Sequence, residues 1–275
     1  MTPRSPSLPR PTTLEESIQY YKDLFDQCYT KGWNTFNLYN SKRQEITANY
    51  PKWKAGRMRE PCDRVDARVS IFTKQVNILI TTSFHFRLYS SKFCNLEWLQ
   101  ANIPSDFSSH LDVMDRQFDK FFKFAISQFF YTTFHSMESV FRIFVKEIHP
   151  NGEVLSTGKF QNVYSTLFKK LNIQRHAERI NLLVFMSAIR NTIHNDWKYV
   201  PPKQVSSTEE SERPREFVYK NQTYTFVPHE FVNFITFEMV INFANDLLEI
   251  FDEIVNHPSI VEIPEIISEW ISLEE

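Results

Sequence analysis

Arg190 and His194, in the string Arg190-Asn191-Thr192-Ile193-His194-Asn195, are the residues whose types and spacing point most directly to chemistry. Four residues apart on a helix, they lie about 40° apart on one face, one turn above each other. A permanent cation then stands beside a side chain that exchanges protons near neutral pH. Such a pair suits a phosphodiester substrate. A second set, His135, Glu138 and Arg142, is spaced by three and four residues and would share one face of another helix. Glu138 and Arg142 fit equally well as an i,i+4 surface ion pair worth a few tenths of a kcal/mol.

Other candidates are isolated. His85, His149, His176, His229 and His257 have no ligand or base at a useful spacing. No HExxH, paired CxxC or DxDxDG string occurs, so no metal and no cofactor is expected. Ser136 and Ser187 lack the glycines of a nucleophile elbow. Lys169, Lys170, Arg175, His176 and Arg179 form a modest basic patch that suits either RNA phosphates or water.

The elements that must position these residues are helices. Only Gly32, Gly56, Gly152 and Gly158 are glycine, whereas hairpins and phosphate-cradling loops depend on that residue. The scarcity excludes a Rossmann or P-loop enzyme and favours long helices. An apolar share of 42% against 23% charged residues places the chain among globular proteins, and 26 phenylalanines imply a bulky core. A formal net charge of −2 gives no global field for nucleic acid, so any RNA site must be a local patch. Cys28, Cys62 and Cys94, odd in number and without pairing motif, read as free thiols of a reducing compartment. The absence of an apolar leader or spanning segment leads us to expect a cytoplasmic protein away from membranes.

Along the chain, residues 1–13 hold four prolines and read as a mobile tail. Thr13, followed by Glu15 and Glu16, marks a helix start. The first helix is expected over 14–39 and a second over 63–90, with strand as the alternative for its β-branched and aromatic end. Residues 40–62 are polar and broken by Pro51 and Pro61, and 95–109 read as a linker with a short helical piece at most. The longest helical pattern covers 110–148, ended by His149-Pro150-Asn151-Gly152. Helices follow at 159–171 and 173–197. A polar loop over 203–215 leads to a hairpin, Phe217–Tyr219 and Tyr224–Val227, joined by residues 220–223. A long helix over 229–256, with Phe231, Phe234 and Ile235 on its core face, and a short amphipathic helix at 264–273 complete the pattern. The domain reading is an N-terminal helical extension at 14–109 and a helical domain at 110–275.

Within the 173–197 segment, Leu182, Met186, Ile189, Ile193 and Trp197 form an apolar stripe at spacings of four, three, four and four. Leu183, Ser187, Arg190, Asn191 and His194 lie in the row beside it, which predicts a half-buried polar strip in need of partners. A structural role also fits, since Arg and His near a helix C-terminus complement the helix dipole and Asn195 could be the left-handed cap.

RNTIHN at the end of an apolar helix resembles the signature of the HEPN superfamily, all-helical nucleotide-binding and ribonuclease domains. The loop, the hairpin FVYKNQTYTFV and the long helix after it resemble HEPN-like proteins with an insertion following the signature, so the resemblance spans about 110–256. In that family four to six residues usually separate Arg from His; here there are three. The resemblance implies an all-α HEPN-like bundle with a small hairpin insertion, and metal-independent RNA cleavage of a toxin or defence type. Arg190 would hold the scissile phosphate, His194 would act as general base or acid, and Asn191 would orient the pair. Glu138, Arg142, Ser187 and Asn195 would support them. A homodimer would bring two such sites together, with RNA or a nucleotide as ligand and the cognate antitoxin or partner protein left open. The alternative is a catalytically inactive HEPN-like scaffold that binds a nucleotide, RNA or a protein.

Overall fold

The computed structural model describes residues 13–53, 65–102, 111–201 and 213–268, and the expected N-terminal tail lies almost wholly outside them. Most of this chain is helical: α1 (Leu14–Asn49), α2 (Ala67–Leu88), α3 (Leu96–Asn102), α4 (Leu111–Ile148), α5 (Gly152–Thr157), α6 (Phe160–Lys170), α7 (His176–His194), α8 (Phe237–Val255) and α9 (Pro258–Val261). A π-helical turn, Tyr89–Phe93, continues α2. Two small antiparallel sheets are described: β1 (Val65–Asp66) with β4 (Ile267–Ser268), and β2 (Arg215–Tyr219) with β3 (Gln222–Phe226).

Local chemistry explains several boundaries. At the start of α1 the Thr13 hydroxyl accepts from the Glu16 amide at 3.1 Å, and the Thr13 amide donates to the Glu16 carboxylate at 3.3 Å. That reciprocal capping box satisfies two donors that a helix end otherwise leaves unpaired. The helix runs ten residues beyond the expected end at 39, to Asn49. Lys42, Arg43, Gln44 and Glu45 are good helix formers, and Ile46, two turns past buried Tyr39, is buried on the same side.

The β-branched end of α2 is helix, not strand. Leu79, Ser83 and Phe86 are buried at spacings of four and three while Phe84, His85, Arg87 and Leu88 face water. Residues 229–236, expected to open the long helix, are not helical. Helix α8 starts only after Thr236, whose hydroxyl accepts from the Met239 amide at 3.2 Å. Ile235 is buried as expected, but Phe231 is exposed and Phe234 only half-buried. The closing helix expected at 264–273 is also corrected. Ile267–Ser268 is a strand paired with Val65–Asp66, and 269–273 lie outside the described residues.

The chain divides into two compact units that interleave along the sequence. Unit 1 draws on Met1–Thr35, Leu79–Tyr131 and Ala188–Asn242; unit 2 draws on Phe36–Ile78, Thr132–Ser187 and Phe243–Glu275. Each takes residues from both 14–109 and 110–275.

Phenylalanine builds both cores, through edge and tilted ring contacts. In unit 1, Phe86 lies 4.7 Å from Phe237 and 6.1 Å from Phe25 and Phe122, while Tyr21 lies 4.7 Å from Phe118. In unit 2, Phe141 packs edge-on against Phe168 at 5.7 Å and Phe251 at 6.0 Å. There the buried Tyr39 hydroxyl donates to the Ala244 carbonyl at 2.6 Å, giving a polar atom in an aromatic core its partner.

Candidate functional site

Helix α7 carries the candidate residues and ends at His194. The expected stripe is its inward face: Leu182, Met186, Ile189 and Ile193 are all buried. Trp197 lies beyond the helix and is half-buried. The row beside the stripe is graded. Leu183 is buried, Ser187 is half-buried, and Arg190, Asn191 and His194 are exposed. This corrects the expectation of a half-buried polar strip. In the last turns Ala188, Ile189, Thr192 and Ile193 occupy the whole buried arc, so positions 190, 191 and 194 point the other way. Thr192, the polar member of the arc, donates its hydroxyl to the Ala188 carbonyl at 2.9 Å.

The helix ends by side-chain capping rather than by a left-handed Asn195. The Asn195 amide donates to the Asn191 and Thr192 carbonyls, each at 3.1 Å, and its Nδ2 donates to the Asn191 carbonyl at 2.6 Å. Positive φ falls on Asp196 (55°) and Trp197 (65°) instead. Asn195 thus closes the helix directly after His194, satisfying carbonyls that the helix end leaves without an intrahelical donor.

Arg190, Asn191, His194 and Asn195 belong to unit 1, whereas Glu138, Arg142 and Ser187 belong to unit 2. The Ser187 hydroxyl donates to the Leu183 carbonyl at 2.8 Å. Arg142 binds Glu138 through Nε at 3.2 Å and Nη2 at 2.5 Å. Its Nη1 donates to the carbonyls of Ser156 at 2.5 Å and Gly158 at 2.9 Å, fastening the end of α5 to α4. The upstream basic patch is also engaged: Arg179 pairs with Glu253, and Arg175 with Glu249 at 2.7 Å. Two of the isolated histidines act on the backbone. His149 Nδ1 accepts from the Asn151 amide and His257 Nδ1 from the Ser259 amide.

Three neighbours of the motif escaped sequence reasoning. The first is Tyr131 on α4. Burial raises its phenol pKa, and the nearby Arg190 charge opposes that rise as the smaller effect. The second is Lys123, two turns earlier on α4, which reaches to 6.0 Å from the Trp197 ring and pairs with Asp119 at 3.1 Å. The third is Lys198, which follows the left-handed turn. It forms an antiparallel bridge with Phe231 and sets its ammonium 4.8 Å from that ring. Tyr131 with Arg190, Lys123 with Trp197 and Lys198 with Phe231 are pairings between segments far apart in the chain, which periodicity does not encode.

The hairpin beyond the helix differs from its expected form in one detail. Its turn has two residues, Lys220 and Asn221, both at positive φ (48° and 63°), rather than the four residues 220–223. Positive φ at both positions is the type I′ geometry, whose twist matches that of the strands. Its inner face is aromatic: buried Phe226 meets Tyr199 at 5.0 Å, Phe217 at 5.5 Å and Phe234 at 5.0 Å.

Among the described residues no group of three or more His, Cys, Asp or Glu side chains is placed to hold a metal ion, and no helix is long and apolar enough to cross a membrane. No protein-family model, no curated protein and no solved structure matches this chain.

Proposed function

We propose that the chain is a HEPN-like helical protein that binds RNA at the C-terminal end of α7 and cleaves it without a metal. The observation that carries this reading is the joint exposure of Arg190, Asn191 and His194 on the last turns of a helix whose other residues there are buried. Exposed polar residues at the end of a buried helix are within reach of a ligand, while the core holds their backbone still.

In the reaction proposed, the His194 imidazole takes the proton of a ribose 2′-hydroxyl. The 2′-oxygen attacks phosphorus, the bond to the 5′-oxygen breaks, and that oxygen leaves with a proton from the second acid. The products are a 2′,3′-cyclic phosphate and a free 5′-hydroxyl. Arg190 holds the nonbridging oxygens as charge grows on them. Asn191 orients the phosphate. A second copy of the chain, apposing a second Arg190 and His194, supplies the acid.

The test is incubation of labelled single-stranded RNA with the protein in excess chelator. Cyclic-phosphate ends are expected, with the rate falling about 100- to 10,000-fold in His194→Ala, the span of a lost general acid or base. Equal rates for wild type, Arg190→Ala and His194→Ala would sink the nuclease. The exposure of Arg190 also suits a second reading, a binding scaffold without turnover, because a surface guanidinium contacts a phosphate without any proton transfer. RNA retention that depends on Arg190, with no cleavage at any pH, would establish that reading.

A further inference from the structure

We infer that Phe231, with Lys198 beside it, is a stacking platform for an unpaired base of the nucleic acid bound at Arg190 and His194; the inference rests on the RNA reading above and names single-stranded RNA as its substrate class. Phe231 is 66% exposed, so its ring is within reach of a ligand. Its backbone is nevertheless held firmly. The Val232 amide donates to the Trp197 carbonyl at 2.8 Å, Tyr199 to Glu230 at 3.0 Å, and His229 to Tyr199 at 2.8 Å. The His229 backbone turns through a positive φ of 64° where it enters this ladder. An exposed aromatic whose flanking backbone is fixed by three hydrogen bonds presents the face that Lys198 does not cover at almost no further cost in backbone entropy.

The surroundings favour a nucleic acid over a purely apolar occupant. The Lys198 ammonium stands 4.8 Å from the ring centroid, so a phosphate following a stacked base would meet a cation at once. His194 and Lys198 are four positions apart, a reach of at most about 14 Å of extended chain. The platform therefore lies within a few nucleotides of the proposed scissile phosphate. Both belong to unit 1. A paired base has no free face to stack, so the platform selects single strands from duplexes.

The test uses a short 2′-O-methyl RNA, which the proposed reaction cannot cleave, as a single strand and as a blunt duplex. Binding is read by fluorescence anisotropy. Phe231→Ala is expected to weaken single-strand binding about 5- to 100-fold, the loss of one base stack. Phe231→Trp is expected to keep or tighten it, duplex binding is expected not to change, and melting temperatures are expected to stay level. If Phe231→Ala binds as wild type while Arg190→Ala is weakened, the platform is overturned and the RNA reading stands. An equal loss on single strand and duplex also overturns the platform. If wild type binds neither RNA form and Arg190→Ala changes nothing, the RNA reading fails and the platform with it. Tighter capture of a protein than of any single-stranded RNA, abolished by Phe231→Ala, would assign the ring to a protein interface instead.

Discussion

Arg68 in unit 2 and Arg190 in unit 1 are the same residue type put to opposite uses. Arg68 is fully buried, and its guanidinium is occupied on every side. Nε and Nη2 bind the Asp66 carboxylate, and Nη1 donates to the Ile260 carbonyl at 2.9 Å and the Ile263 carbonyl at 2.8 Å. The Trp53 ring lies 3.9 Å from its central carbon. Arg68 thereby ties the start of α2 to α9 and to the chain beyond it. Arg190 is exposed, and its electrostatic influence reaches Tyr131. A buried charge must have its partners built in, since desolvation without them costs several kcal/mol. The Arg190 guanidinium lies at the surface near a helix end, where a ligand can reach it. The contrast separates an arginine that holds the fold from one suited to act.

Arg68→Ala should break this comparison most visibly. It leaves the Asp66 carboxylate buried without its ion pair and two carbonyls without donors, so a loss of about 3–5 kcal/mol is expected in chemical denaturation. A loss below about 1 kcal/mol would show that the site rearranges and that burial did not fix its role. A buried thiol in unit 1 sharpens the point, because burial rather than membership of a unit sets the rule. Burial, with a smaller push from Asp26 against Lys22, raises the Cys94 pKa from 9.0 to about 12. The folded state thus favours the thiol form. Its contribution is intact below pH 9 and declines as pH climbs from 9 to about 12. Wild type should lose stability across that window more steeply than Cys94→Ala, and parallel pH profiles would refute it. The smallest effect is expected at the exposed arginine. Arg190→Ala should change unfolding free energy by no more than about 0.5 kcal/mol, as surface substitutions do. A larger loss would move Arg190 into the structural class with Arg68.

Much of the helical scaffold was legible because its signals are local. Thr13 with Glu16 marked the start of α1, and the 110–148 pattern matched α4 within a residue. The hairpin was legible too, though its turn had to be shortened to Lys220 and Asn221. For the site, the sequence placed Arg190, Asn191 and His194 on one helix face and predicted its apolar stripe. Their exposure was not legible, because periodicity gives the direction of a face and not how far neighbours cover it. Arg68 went unnoticed for a related reason. A single arginine in an apolar run reads as a surface residue until Asp66, Ile260 and Ile263 converge on it.

Composition and local spacing are enough for a glycine-poor, phenylalanine-rich, mostly helical chain, with an Arg-Asn pair and a His one turn apart. Hydrogen bonds and side-chain spacing within a few residues suffice for that. The tertiary structure alone decided that Arg190 neighbours Tyr131, that Lys198 pairs with Phe231, and that Ile267 joins a strand instead of a helix. Those pairings join segments far apart in the chain. Their free energy comes from long-range closure and burial, which no local pattern encodes.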